Sequence, residues 1–153
     1  KERMNALKDR EWYRPVAPMV AEEEADKVFV RDSYAAPLHS PFMSFAPYLR
    51  HSAALHLPAI THADNSARPQ TVSETDDPWL HKLLHEIKER TGWAVLINTS
   101  FNTKGKPILN TVREALLLLR DCEDLDYVLI EDILFPKSIG PRAVELWLNR
   151  HSN

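Results

Sequence analysis

The chain has 153 residues and a mass of 17.6 kDa, enough for one domain that buries roughly 70% of the surface its unfolded form exposes. An apolar fraction of 44%, a charged fraction of 27% and a net charge of −3 exclude disorder, collagen-like repeats and a broad basic nucleic-acid surface. The three glycines, Gly92, Gly105 and Gly140, stand apart, which removes the P-loop and the dinucleotide fingerprint because both need clustered glycines. A single cysteine, Cys122, forbids an intrachain disulfide and a cysteine-rich zinc site and fits a reducing compartment, so a cytoplasmic location is expected. The longest apolar run, Ala115 to Leu119, has five residues against the roughly 20 of a membrane span.

In chain order, Lys1 to Met4 form neither a signal nor a transit peptide, and position 1 is not an initiator methionine. Asn5 to Lys8 reads as the tail of a helix, so the chain is expected to be part of a longer polypeptide. Arg10 to Pro18 is extended, since each proline restricts the residue before it. Met19 to Phe29, with Glu22, Glu23 and Glu24, reads as one helix. Pro37 to Pro41 reads as a loop, and Phe42 to Ala46 and Leu57 to Thr61 as short strands. Asp76-Asp77-Pro78 offers a cap and a proline in the first turn. The apolar positions Trp79, Leu80, Leu83, Leu84 and Ile87 then continue a helix until Gly92 stops it.

Trp93 to Ile97 reads as a buried strand, followed by the polar turn Asn98 to Asn102. Thr111-Val112-Arg113-Glu114 has the form of a capping box for a helix from about Val112 to Arg120. Strands Tyr127 to Ile130 and Ile133 to Phe135 follow it, and a terminal helix covers Ala143 to Asn149. Strand, helix and strand in this order predict an α/β fold with a mixed sheet flanked by helices, organised as one domain over residues 1–153.

Several features carry ordinary structural readings. His81 and His85 lie one helical turn apart beside Glu86, a spacing that can hold a metal, but they share a polar surface with Lys82, Lys88 and Glu89, and no metal ligand is assigned. Cys122 is surrounded by Asp121, Glu123 and Asp124, which oppose a thiolate. Phe42 and Phe45 are expected in the core. Three segments ask for more: the cations Lys8, Arg10 and Arg14 beside prolines, the polar loop His62 to Thr71 with its further cation Arg68, and the turn Asn98 to Asn102 at the carboxyl end of a strand, where open α/β sheets bind ligands.

Asn5 to Pro18, Ser40-Pro41-Phe42-Met43, the loop His62 to Val72 and above all Leu96-Ile97-Asn98-Thr99-Ser100-Phe101-Asn102-Thr103-Lys104-Gly105-Lys106-Pro107-Ile108 closely resemble the C-terminal domain of the NodU/CmcH-type O-carbamoyltransferases. The resemblance covers roughly residues 4–137. It implies a twisted, YrdC-like α/β domain that binds ATP and carbamoyl phosphate and forms carbamoyl-adenylate. It places a Lys-x-Arg pair at Lys8 and Arg10 and a Ser-x-Asn pair at Ser100 and Asn102 as the catalytic set. Arg14, Met43, His62, Asp64, Arg68, Thr71, Asn98 and Thr99 become the residues around nucleotide and carbamoyl phosphate.

Two departures stand out, Asn65 where the family usually has glycine and Lys106 after Gly105. Asn65 can adopt the left-handed conformation, so the turn should survive. The resemblance further implies transfer to an alcohol by an N-terminal domain of the same polypeptide, with any metal ion bound by that domain or arriving with ATP. No nucleic-acid or membrane partner is expected. The alternatives are a nucleotide-binding or regulatory module without chemistry of its own, and an RNA-binding role that the acidic balance opposes.

Overall fold

The computed structural model describes residues 1–31 and 38–150. Its elements in chain order are helix α1 (Glu2–Leu7), strand β1 (Ala17–Ala21), a 3-10 turn (Glu22–Glu24), α2 (Ala25–Val28), α3 (His51–His56), β2 (Gln70–Val72), α4 (Pro78–Thr91), β3 (Val95–Asn98), α5 (Val112–Asp121), β4 (Tyr127–Ile130), β5 (Ile133–Pro136), a second 3-10 turn (Lys137–Ile139) and α6 (Gly140–Arg150). The chain divides into two compact units. One comprises Lys1 and Tyr13–Thr99, the other Glu2–Trp12 and Ser100–Asn153.

The first unit is built on a three-stranded sheet in the order β2-β1-β3. β1 runs parallel to β2, with Val20 opposite Thr71, and antiparallel to β3, with Met19 opposite Leu96. The sheet is therefore mixed and flanked by helices, the α/β class read from the sequence. Val20, Val28, Phe29, Leu49 and Ile60 belong to one core cluster, and Ala21, Val72, Leu84 and Ala94 form another that takes in Leu80 of α4. Asp77 caps α4 by accepting from the Leu80 N–H at 2.9 Å, and Gly92 closes the helix in the left-handed region at φ +84.

The second unit pairs β4 and β5 as an antiparallel hairpin beneath a core of Ala115, Leu116, Leu119, Val128, Phe135 and Val144. Trp147 of α6 meets Phe135 edge-on at 5.3 Å. The capping box is present: Thr111 accepts from the Glu114 N–H at 3.2 Å, while Glu114 accepts from the Thr111 N–H at 3.1 Å. We expect Thr111→Ala to lower stability by about 1 kcal/mol in urea melts, because it leaves an N-terminal donor of α5 unsatisfied. The Asn110 N–H first, and then the Thr111 hydroxyl, hold the Glu114 carboxyl below its ordinary 4.5. The contribution of Glu114 is therefore present above that ordinary value and is lost as acid takes the pH down through the lower folded value.

The structure corrects several sequence expectations. Met19 to Phe29 is not one helix: Met19 to Ala21 complete β1, because Val20 and Ala21, both at 0% exposure, sit in the central strand and answer ladders on both sides. Only the acidic run and one short turn, α2, are helical. Phe42 to Ala46 is not a strand. Prolines bracket it, Met43 has φ +59, and Phe42 is 87% exposed with Phe45 also exposed, so neither ring is core. Leu57 to Thr61 is the C-cap of α3 and the turn that follows it. Of the loop Pro37 to Pro41, Pro37 lies outside the described residues. β3 is an edge strand with Ile97 39% exposed, not a buried one. β3 and β4 belong to different sheets, so the strand–helix–strand run is not a crossover unit.

Candidate functional site

Residues of the second unit place Lys8 against the turn that begins at Ser100. Helix α1 ends in a left-handed cap: Asp9 has φ +47, its N–H reaches the Ala6 carbonyl at 3.0 Å, and the Arg10 N–H reaches the Asn5 carbonyl at 2.8 Å. These are the two bonds of a Schellman motif, with aspartate in the position glycine usually takes. The cap fixes Lys8 as the last half-helical residue and Arg10 two residues beyond it.

Lys8 is 6% exposed. Its Nζ donates to the Ser100 carbonyl at 2.5 Å, to the Asn102 carbonyl at 2.7 Å, to the Ser100 Oγ at 3.3 Å and to the Asn102 Oδ1. An ammonium has three protons, so four acceptors compete for them. All four are neutral. The charge is solvated by dipoles but is not cancelled by any of them, so a positive field is left at the Ser100–Asn102 turn. Burial, and secondarily the Arg10 charge, hold the Lys8 pKa below its ordinary 10.5.

The turn is ordered from within. The Ser100 hydroxyl donates to Asn102 Oδ1 at 2.8 Å, and Asn102 Nδ2 donates to the Lys106 carbonyl at 2.8 Å. Lys106 N–H closes a tight turn onto the Thr103 carbonyl at 3.1 Å. Gly105 takes the third position with φ +72, a conformation that favours glycine there. Three of the four residues of the predicted catalytic set, Lys8, Ser100 and Asn102, are thus joined by direct hydrogen bonds, and Arg10 acts on Lys8 through its charge.

The predicted binding residues lie in the first unit. His62 and Asp64 shape one loop: Asp64 Oδ1 accepts from the Ser66 N–H at 3.0 Å and from the Ser66 hydroxyl at 2.7 Å, and that hydroxyl lies 3.2 Å from His62 Nδ1. The Ser66 N–H first, and then its hydroxyl, hold the Asp64 carboxyl below its ordinary value. Asn65 adopts φ +62, the left-handed geometry expected of it. Thr71 is buried, and its hydroxyl accepts from the Ser40 N–H at 2.8 Å. Asn98 ends β3, donating from Nδ2 to Gln70 Oε1 at 2.7 Å. Thr99 is half-buried, and Arg14 and Arg68 are exposed.

Met43 is the unusual member, since φ +59 is uncommon for a long side chain and marks a conformation imposed by its surroundings. Phe42 of the same segment, with Gln70, Thr71, Asp76 and Asp77, lines an open cleft of about 270 Å³. That volume lies below the roughly 300–1,000 Å³ usual for a ligand pocket, and its two carboxylates disfavour phosphate. Among the described residues no helix is long and apolar enough to cross a membrane.

Residues 1–137 match the family described as "Carbamoyltransferase C-terminus". The chain is 37% identical over 148 residues to the nodulation protein NolO of Bradyrhizobium diazoefficiens, covering 96% of this chain and 26% of that protein. It is 39% identical over 139 residues to nodulation protein NolNO of Sinorhizobium fredii, covering 90% and 20%. It is 34% identical over 140 residues to the 3'-hydroxymethylcephem-O-carbamoyltransferase of Amycolatopsis lactamdurans, covering 92% and 25%. The chain therefore spans about a quarter or less of the length of these relatives.

Proposed function

The chain belongs to the carbamoyltransferase C-terminal family, and from that premise we propose that it binds ATP and carbamoyl phosphate and forms carbamoyl-adenylate. The observation that carries this reading is the buried, uncancelled charge of Lys8 on the Ser100–Asn102 turn. A desolvated cation whose partners among the described residues are all neutral favours an arriving anion, and here it supports the role of a P-loop without clustered glycines. Water cleaves carbamoyl phosphate to carbamate and phosphate. A carbamate oxygen then attacks the α-phosphorus of ATP, the bond from that phosphorus to the bridging oxygen breaks, and pyrophosphate leaves.

Lys8 and Arg10 offset the charge that develops on the phosphates, and Ser100 and Asn102 hold the turn in register for it. Arg14, Arg68, Met43, His62, Asp64, Thr71, Asn98 and Thr99 belong to the binding role in this proposal. The second half-reaction, transfer to an alcohol, is assigned to an N-terminal domain of the same polypeptide. A metal ion accompanies ATP or belongs to that domain, and the work takes place in the cytoplasm.

The experiment is isotope exchange between pyrophosphate and ATP in the full-length polypeptide, with and without carbamoyl phosphate. We expect exchange only when carbamoyl phosphate is present. ATP binding without any exchange would replace adenylation with a nucleotide-binding or regulatory module.

A further inference from the structure

Glu23 of the first 3-10 turn meets His81 and His85 of α4 at a single point. The two histidines, four residues apart, share one face of a 14-residue helix, and both Nε2 atoms converge on Glu23 Oε1, at 2.9 Å from His81 and 2.5 Å from His85. The three ligand atoms all lie within 4.8 Å of one another, and the two rings are 4.7 Å apart by their centroids.

Neighbouring ammonium groups leave Glu23 to the imidazoles. Lys27 and Lys88 both donate to Glu24, at 2.7 Å and 3.0 Å in their ion pairs. The side chains of His81, His85 and Glu23 are 15%, 36% and 49% exposed, so the point where they meet opens to solvent on its remaining side.

We propose that Glu23, His81 and His85 form a three-ligand site for a divalent transition-metal ion of the zinc class, with water completing its coordination. Two neutral imidazole nitrogens and one carboxylate suit zinc, copper, iron or nickel. Magnesium and calcium want oxygen ligands instead. A tetrahedral ion with ligands at roughly 2.0–2.1 Å separates them by about 3.3 Å. Opening the present 2.5 and 2.9 Å contacts to that spacing takes a few tenths of an ångström to under one, within reach of small side-chain rotations at a half-exposed site. The ion takes the place of the two imidazole–carboxylate contacts, with any Nε2 proton passing to Nδ1 or to solvent. It also joins segments 58 and 62 residues apart, so its binding closes a long loop and stabilises the first unit.

This site uses none of the residues of the proposed adenylation and does not rest on it. The test is calorimetric titration of the metal-stripped chain with zinc chloride, with magnesium chloride in parallel. One zinc ion per chain and no magnesium binding are expected. His81→Ala, His85→Ala and Glu23→Gln should each weaken zinc affinity at least about tenfold, since even residues supporting metal ligands alter affinity by 10–100-fold. His51→Ala, an exposed histidine elsewhere, should leave it unchanged.

Thermal melts give a second readout. Zinc should raise the melting temperature of the parent, and raise that of Glu23→Gln, whose amide still accepts a hydrogen bond, by clearly less at the same zinc concentration. Absence of zinc binding in the parent, or equal affinity in the doubly substituted His81→Ala/His85→Ala chain, would overturn the site and leave only an ion pair.

Discussion

Lys8→Met should reduce carbamoyl-adenylate formation by about 10²–10³-fold, the range for removing one preorganised group aimed at developing charge. The same change should lower stability by about 1–3 kcal/mol, because the Ser100 and Asn102 carbonyls and Asn102 Oδ1 lose the donor that serves them. Pyrophosphate exchange in the full-length polypeptide measures the first effect and urea melts the second. The pH dependence separates charge from shape. Since burial and Arg10 hold the Lys8 pKa below 10.5, the unfolded chain binds more protons than the folded one between that lower value and 10.5. Parent stability should therefore gain across this alkaline window relative to Lys8→Met, which has no proton to lose. A Lys8→Met chain that melts early yet exchanges pyrophosphate at the parent rate would reduce Lys8 to a clamp on the turn.

Ser100→Ala should separate chemistry from stability more cleanly. Its Oγ is the most distant of the four acceptors around Lys8, at 3.3 Å, so removing it leaves three acceptors for three ammonium protons. Asn102 Oδ1 loses the Ser100 hydroxyl but keeps Lys8. The stability cost should be about 0.5 kcal/mol, the low end for a single hydrogen bond. Adenylate formation should nevertheless fall by about 100-fold, since the hydroxyl holds the asparagine that faces the same charge. Unchanged exchange together with a loss of stability larger than about 1.5 kcal/mol would make Ser100 a structural residue only.

Local sequence signals determined the elements whose stabilisation is itself local. Asp77, Pro78 and Gly92 bound α4 and Thr111 with Glu114 starts α5, because capping bonds connect residues three or four apart and are written in adjacent letters. Ile133 to Phe135 and Tyr127 to Ile130 were legible because β-branched and aromatic residues pair across a short connection. The Asn98–Asn102 run stood out for the same reason that it resembles a known family: a dense set of polar side chains in a fixed order.

What the tertiary structure alone decided depends on residues far apart in the chain. Met19 to Ala21 form a strand rather than a helix because β2 and β3, some 50 and 75 positions onward, supply ladders on both sides. β3 is half-buried with Ile97 exposed, and among the described residues no strand pairs with its outer edge. The Lys8 contacts span 92 and 94 residues, and its weight as an uncancelled buried charge follows from neutral partners that no spacing rule brings together. Glu86 is the acidic neighbour of His85 in sequence, yet Glu23, 58 residues from His81, is the one that meets both histidines. Helical periodicity sets which side chains share a face, and only packing of that face against a distant turn sets what they meet.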